Sequence, residues 1–149
     1  MADERRDPFA GYNFKLEIDG IVLAGFKEIN GAETKTKVIE YSDGDGENNG
    51  IIKRPGRTSY TNVIFKRGIS EGEELWEWYK EVIADARNFE RKGIAIHLLD
   101  DDGKAQKTYT FAEAWPCGYK IASLSATDDQ VAIEEVEFAF EKLSIEEGE

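Results

Sequence analysis

Apolar residues in this chain recur at every second position over most of its length, and at helical spacing only once. A period of two puts alternate side chains on opposite faces of a strand, so the chain must bury one sheet face against another layer. In residues 14–26, Phe14, Leu16 and Ile18 alternate with Lys15, Glu17 and Asp19. Asp19-Gly20 is a type I′ turn signal, and Ile21 to Phe26 is the expected return strand. Residues 33–41, 59–67, 94–99, 107–115 and 119–124 read as further strands, with Asp100 to Lys104 as a turn. The final strand is expected over 131–143. Val131 and Ile133 share one parity there, and Val136, Phe138 and Phe140 the other, which predicts a bulge near Glu134 and Glu135.

The helical pattern covers residues 71–87. Leu75, Trp78, Tyr79, Val82 and Ala86 fall on one stripe, and Leu75, Trp78, Tyr79 and Val82 are its expected core. Ser70 and Glu73 have capping-box spacing, Arg87, Arg91 and Lys92 suit the C-terminal end of the dipole, and Gly93 reads as the stop. About seven strands and one helix suit a mainly β domain, an antiparallel barrel closed or nearly closed, with the helix on its flank.

The 149 residues suffice for a single domain. Three segments fall outside the strand pattern. Residues 1–12 read as an arm whose Phe9 and Tyr12 need cover. Residues 42–57 contain Gly44, Gly46, Gly50, Pro55 and Gly56 and read as one long loop, of a length that is usually functional. Residues 144–149 read as an acidic tail.

Charge and chemistry narrow the function. Nineteen Lys and Arg against 31 Asp and Glu give a net charge of −12, which argues against a nucleic-acid binder. A composition 40% hydrophobic is too rich for a disordered acidic tail, and no apolar run approaches the length of a membrane-spanning helix. The N-terminal MADERRDPFAG has no apolar h-region, so synthesis in the cytoplasm without a secretory signal is expected. His97 and Cys117 are single, and neither has the neighbours of a general base or an activated thiolate. Asp43, Asp45 and Glu47 occupy the first alternate positions of a calcium loop, but Asn48 and Arg54 stand where it needs Gly and Glu. The run from Asp100 to Gly103 fits a hairpin turn. No catalytic residue, cofactor or metal is expected, and a small calcium-binding or hydrolase domain is the remote alternative.

Several segments in order carry a family resemblance: DPFAGYNFKLEIDG (7–20), GFKEINGAETKTKVIEYSDG (25–44), KRPGRTSYTNVIFKRGIS (53–70), the Trp76 and Trp78 pair, AWPCGYKIASLSA (114–126) and VAIEEVEFAFEKL (131–143). Over about residues 8–145 the chain resembles the inner tube proteins of contractile-tailed phages and phage-derived contractile injection systems. The resemblance implies a non-enzymatic structural subunit that forms hexameric rings. The rings stack into a hollow tube, the sheets of neighbouring subunits join to line the lumen, and sheath contraction drives the tube through a target membrane. Implied partners are further copies of the chain, a sheath protein outside, baseplate or spike and terminator proteins at the ends, and a cargo in the lumen. The primary expectation is an injection particle with a protein cargo, and the alternative is a phage tail conducting DNA.

Residues 42–57 are then expected to contact other subunits, chiefly between stacked rings. Asp43, Asp45, Ile51, Ile52, Lys53, Arg54 and Arg57 are the candidate contacts: adjacent isoleucines gain by burial, and the cations face an otherwise acidic protein.

Overall fold

The computed structural model describes residues 13–23, 26–42, 50–69, 73–123 and 132–147. In chain order the elements are β1 (Asn13–Ile18), β2 (Ile21–Leu23), β3 (Phe26–Gly31), β4 (Thr34–Ser42), β5 (Ile51–Tyr60), β6 (Val63–Gly68), α1 (Glu74–Ala84), β7 (Lys92–Leu99), β8 (Ala105–Ser123), β9 (Ile133–Ala139) and β10 (Lys142–Glu147). All pairings among them are antiparallel.

The 19-residue β8 organises the molecule. Its first half pairs with β7 on one side and β10 on the other, which completes a layer ordered β2-β1-β7-β8-β10. Its second half pairs with β9 and continues a second layer, β8-β9-β6-β3. The change of partner falls between Ala114, opposite Lys92, and Trp115, opposite Ala139, beside Glu113 at a positive φ of 54°. A left-handed residue turns the strand as a bulge does, so one strand serves two sheets. The two strands expected at 107–115 and 119–124 are therefore one.

Between the layers lies the core. Leu16, Phe65, Ile94, Phe111, Val136 and Phe138 are buried, each on the inward parity of its strand, as the alternation requires. Helix α1 covers this core with Leu75, Trp78 and Val82; Tyr79 is half-buried, its ring against Trp76. Trp78 packs against Phe138 with the rings tilted at 45° and donates its indole N–H to the Glu90 carbonyl at 2.8 Å.

Several expectations need correction. The return strand ends at Leu23, and Phe26 opens a separate strand, β3, that the pattern did not reveal. The helix is shorter than expected: Glu73 is its N-cap and makes no capping hydrogen bond, while Ser70 lies outside the described residues. Asp85, in an extended conformation, ends the helix eight residues before Gly93, which belongs to β7, and no basic residue stands in the last turn. The expected bulge at Glu134 and Glu135 is absent, because pairing with β6 runs unbroken from Ile133 to Phe138. Glu134 points into the core beside Val136 and is 5% exposed, held by Arg67, itself 3% exposed. A charged pair on the inward parity had imitated a change of face. The last strand is two strands, since the chain leaves β9 at Phe140 and re-enters as β10, with the Glu141 N–H on the Ala112 carbonyl. Residues 144–147 are accordingly strand, not tail. The mainly β, antiparallel, one-helix architecture stands, but no sheet among the described strands closes on itself.

Candidate assembly surfaces

The most conspicuous correction concerns residues 42–57. Residues 51–60 form β5, paired along its length with β4 in a two-stranded ribbon that pairs with no other described strand. Asp43 and Asp45 lie outside the described residues. The segment looked like a loop because Pro55 and Gly56 break strand propensity. In a two-stranded ribbon each strand has an unpaired edge where a missing N–H costs nothing, so Pro55 is tolerated opposite Val38. Gly56 sits where a Cβ would come within 3.0 Å of the Ile39 side chain and 3.1 Å of the Lys37 carbonyl, next to the register shift between Thr36 and Val38.

The ribbon continues the β3–β6 pair. Gly31 pairs with Val63 and Thr34 with Tyr60, and the strands bend between these positions. Gly31, at φ 88°, allows the bend, since a Cβ there would meet the Asn62 carbonyl oxygen at 2.4 Å. The Ala32 N–H donates to that same carbonyl at 3.2 Å, and the Thr61 N–H to the Glu33 carbonyl at 2.8 Å. Thr61 Oγ1 accepts from the Glu33 N–H, and the Thr36 and Thr58 hydroxyls pair across the strands. Ten residues of strand reach roughly 33 Å from this clamp.

The ribbon carries apolar side chains that nothing in the described chain covers. Ile51 is 62% exposed, Val38 55% and Ile39 49%, and Tyr41 and Ile52 are also exposed. Register places Ile39, Tyr41, Ile52 and Arg54 on one face, with the Arg54 guanidinium 5.1 Å from the Tyr41 ring centroid. Val38, Ile51 and Lys53 lie on the other. Lys35, Lys37, Lys53, Arg54 and Arg57 outnumber Glu40 on β4 and β5, so the ribbon is cationic on a protein of charge −12. Of the expected contact residues, Ile51, Ile52, Lys53, Arg54 and Arg57 are thus gathered on one strand.

A second surface was not read from the residues. In the layer β8-β9-β6-β3 both outer strands, β3 and the second half of β8, present edges with no described partner. The outward face carries a cross-strand row of alternating charge: Glu28, Lys66, Glu135 and Lys120 stand opposite one another in turn. Lys66 lies 3.4 Å from each glutamate, and these hydrogen bonds and charges, Glu28 foremost, raise its pKa. Only the strand register, invisible before pairing is known, could have shown this row.

Among the described residues, no catalytic constellation accompanies these surfaces. His97 contacts Thr108 Oγ1 at 2.9 Å and Glu17 at 3.4 Å, with no nucleophile among these contacts. Burial, with Glu137 beside it, pushes the Cys117 thiol up to about 11, the opposite of activation. Asp100 accepts N–H bonds from Asp102 and Lys104, which lower its pKa, so it is a turn residue as expected. Among the described residues no cluster of three metal-ligating side chains occurs.

The family model of the T4-like virus tail tube protein gp19 matches residues 10–144. The chain belongs to this tail tube family. Two solved structures have the same fold. One is a chain of the extended sheath-tube complex of the PVC extracellular contractile injection system, at 23% identity and TM-score 0.83, covering 96% of this chain and 94% of that one. Another is a chain of the anti-feeding prophage tube-terminating cap, at 21% identity and TM-score 0.85, covering 99% and 96%. Hcp1 from Flavobacterium johnsoniae is more distant, at 20% identity and TM-score 0.53, covering 91% and 95%. No curated protein matches the chain.

Proposed function

We propose that this tail tube protein is a non-enzymatic subunit of the inner tube of a contractile injection particle. Six copies form a ring, rings stack into a hollow conduit, and sheath contraction propels the tube and its cargo through a target membrane. The observation that carries this reading is the four-stranded layer with two open edges. Its strands alternate in direction and their number is even, so β3 of one copy meets β8 of the next antiparallel, and the same junction repeats around a closed ring. Closure removes the edges, which an isolated sheet leaves open to aggregation. Twenty-four strands tilted by about 40° give a backbone ring roughly 45–50 Å across, wide enough to leave a lumen. The closed barrel expected from the sequence is thus a property of the ring.

The ribbon supplies the stacking contact. Its isoleucines offer apolar area worth roughly 25 cal/mol per Å² once covered, and its cations meet the acidic surface of a subunit in the adjacent ring. The sheath-tube complex and the cap among the similar structures support a sheath protein outside the tube and a terminator at its end, and a chain of the anti-feeding prophage baseplate, 20% identical, supports a baseplate contact. The particle assembles from subunits made in the cytoplasm and acts after release. Negative-stain microscopy of the purified protein, alone and with a baseplate nucleus, is expected to show rings and tubes. Monomers under both conditions would reject the reading.

A further inference from the structure

Two exposed surfaces of the described chain carry opposite charge. The first is the ribbon, where five cations stand against Glu40 alone and leave β4 and β5 at +4. Lys37, Arg54 and Arg57 gather around the register shift between Thr36 and Val38, and none of them forms an ion pair with another described residue. The second is the outward face of α1. Leu75, Trp78 and Val82 turn one side of the helix to the core, so the opposite side looks away from it. Glu73, Glu74, Glu77, Glu81 and Asp85 against Lys80 leave residues 73–85 at −4, and all six are exposed. Of these acids only Glu77 has an ion-pair partner among the described residues, Lys80 at 3.1 Å. Ile83, 62% exposed, adds apolar area one turn beyond Lys80. Several other described acids are answered in place: Glu134 by Arg67, Glu28 and Glu135 by Lys66, Glu137 by Asn62, and Asp100 by the amides of its turn.

We propose that the ribbon of one copy docks along the outward face of α1 in a second copy, with Arg54 and Arg57 against the row Glu74, Glu77 and Glu81. Ile39 and Ile52, which share the Arg54 face of the ribbon, then meet Ile83. The inference rests on the stacking role proposed for the ribbon and names the surface that receives it. Both surfaces are exposed in a single chain, so neither covers the other within it and a second copy is the occupant. Their dimensions agree. Glu74 and Glu81 lie about 10 Å apart along the helix, and Arg54 and Arg57 about 10 Å apart along the strand. Rows of opposite charge at one spacing fix register as well as partner. The two patches also differ, so the contact is heterologous, and such a contact repeats from ring to ring without closing on itself. That is the geometry a growing tube requires.

The test reverses charge on one surface at a time in the full-length chain: Arg54→Glu with Arg57→Glu on the ribbon, or Glu77→Arg with Glu81→Arg on the helix. All four side chains are exposed, so each variant should keep the parent's thermal midpoint within a few degrees. Each alone is expected to lose association in sedimentation, because its ribbon and helix then carry the same sign. Mixed one to one, the variants should associate at least tenfold more than either alone, and a chain with all four reversals should recover the parent's association. Glu146→Arg with Glu147→Arg on β10, exposed as well, is the control and should neither block nor rescue. Raising salt from about 0.1 M to about 1 M shortens the screening length from about 10 Å to about 3 Å and should weaken the rescued contact at least severalfold. Normal association of the helix variant, no gain on mixing, or rescue by the β10 control would each overturn the proposal. Tubes built by the helix variant would reject this contact alone, whereas parent and rescued chains that associate but never form hollow tubes would reject only the tube reading.

Discussion

Glu134 and Glu135 are neighbours of the same residue type whose consequences differ by strand parity alone. Glu134 faces inward, where it accepts from the Arg67 guanidinium at 2.5 Å and from the Tyr119 hydroxyl. Breaking a buried, hydrogen-bonded ion pair is strongly destabilising, so Glu134→Ala is expected to cost roughly 3–5 kcal/mol in urea unfolding. Glu135 faces outward, 3.4 Å from Lys66, and Glu135→Ala should cost less than about 1 kcal/mol. Equal losses would show that Glu134 is not buried as described. The same pair leads to a pH dependence. Burial, and then the bond to Glu134, push the Tyr119 hydroxyl up to about 12. The folded value exceeds the unfolded one, near 10, so this contribution is complete below about pH 10 and is lost as the pH rises toward 12. Tyr119→Phe should flatten the decline of the urea midpoint over that window, and an unaltered slope would refute the assignment.

At the scale of elements, the ribbon of β4 and β5 pairs with no other described strand, and its clamp and the Tyr60 ring against Phe140 join it to the core. Two-stranded ribbons are marginal in water, so its amides should exchange within seconds in the free subunit and become protected in tubes. Arg54→Glu with Arg57→Glu, or deletion of residues 44–50, should leave the thermal midpoint within a few degrees and abolish tube growth under the microscope. Normal-length tubes from both variants would show that the ribbon is solvated surface. How much of this was legible in the sequence follows from the kind of interaction that fixes each element. Strands whose alternation meets one core, such as β1 and β7, were readable because burial itself writes the pattern. The ribbon was not, since its order comes from cross-strand pairing and not from burial in the subunit's core, and Pro55 and Gly56 are normal on an edge though misleading in isolation. Nor was the double role of β8, where a single left-handed residue, Glu113, redirects the strand. The capping box failed for a similar reason. Spacing alone cannot reveal that the helix starts at Glu74, three residues later than a Ser70 cap requires.

For the whole molecule, the decisive question posed by the proposed ring is how two open edges would become one sheet. Strands in a closed barrel tilt, so the register at each junction cannot continue straight along a row but steps by a fixed number of residues. The step must be even, because an odd one would turn every outward side chain of the next copy into its core. Glu28 and Asn30 on β3 face outward, as do Gly118 and Lys120 on β8. Cysteines placed at Asn30 and, in turn, at Gly118 or Lys120, with Cys117→Ser, therefore sample the registers that parity allows. In assembled tubes one pairing should outrun the other by at least severalfold and yield a ladder of covalent oligomers ending at six, with the favoured position reporting the step. A ladder that runs past six would indicate an open helical assembly in place of rings. Cross-linking at an inward position such as Ile29 instead would mean that the core face lies at the junction, and the joined-sheet model would fall with it.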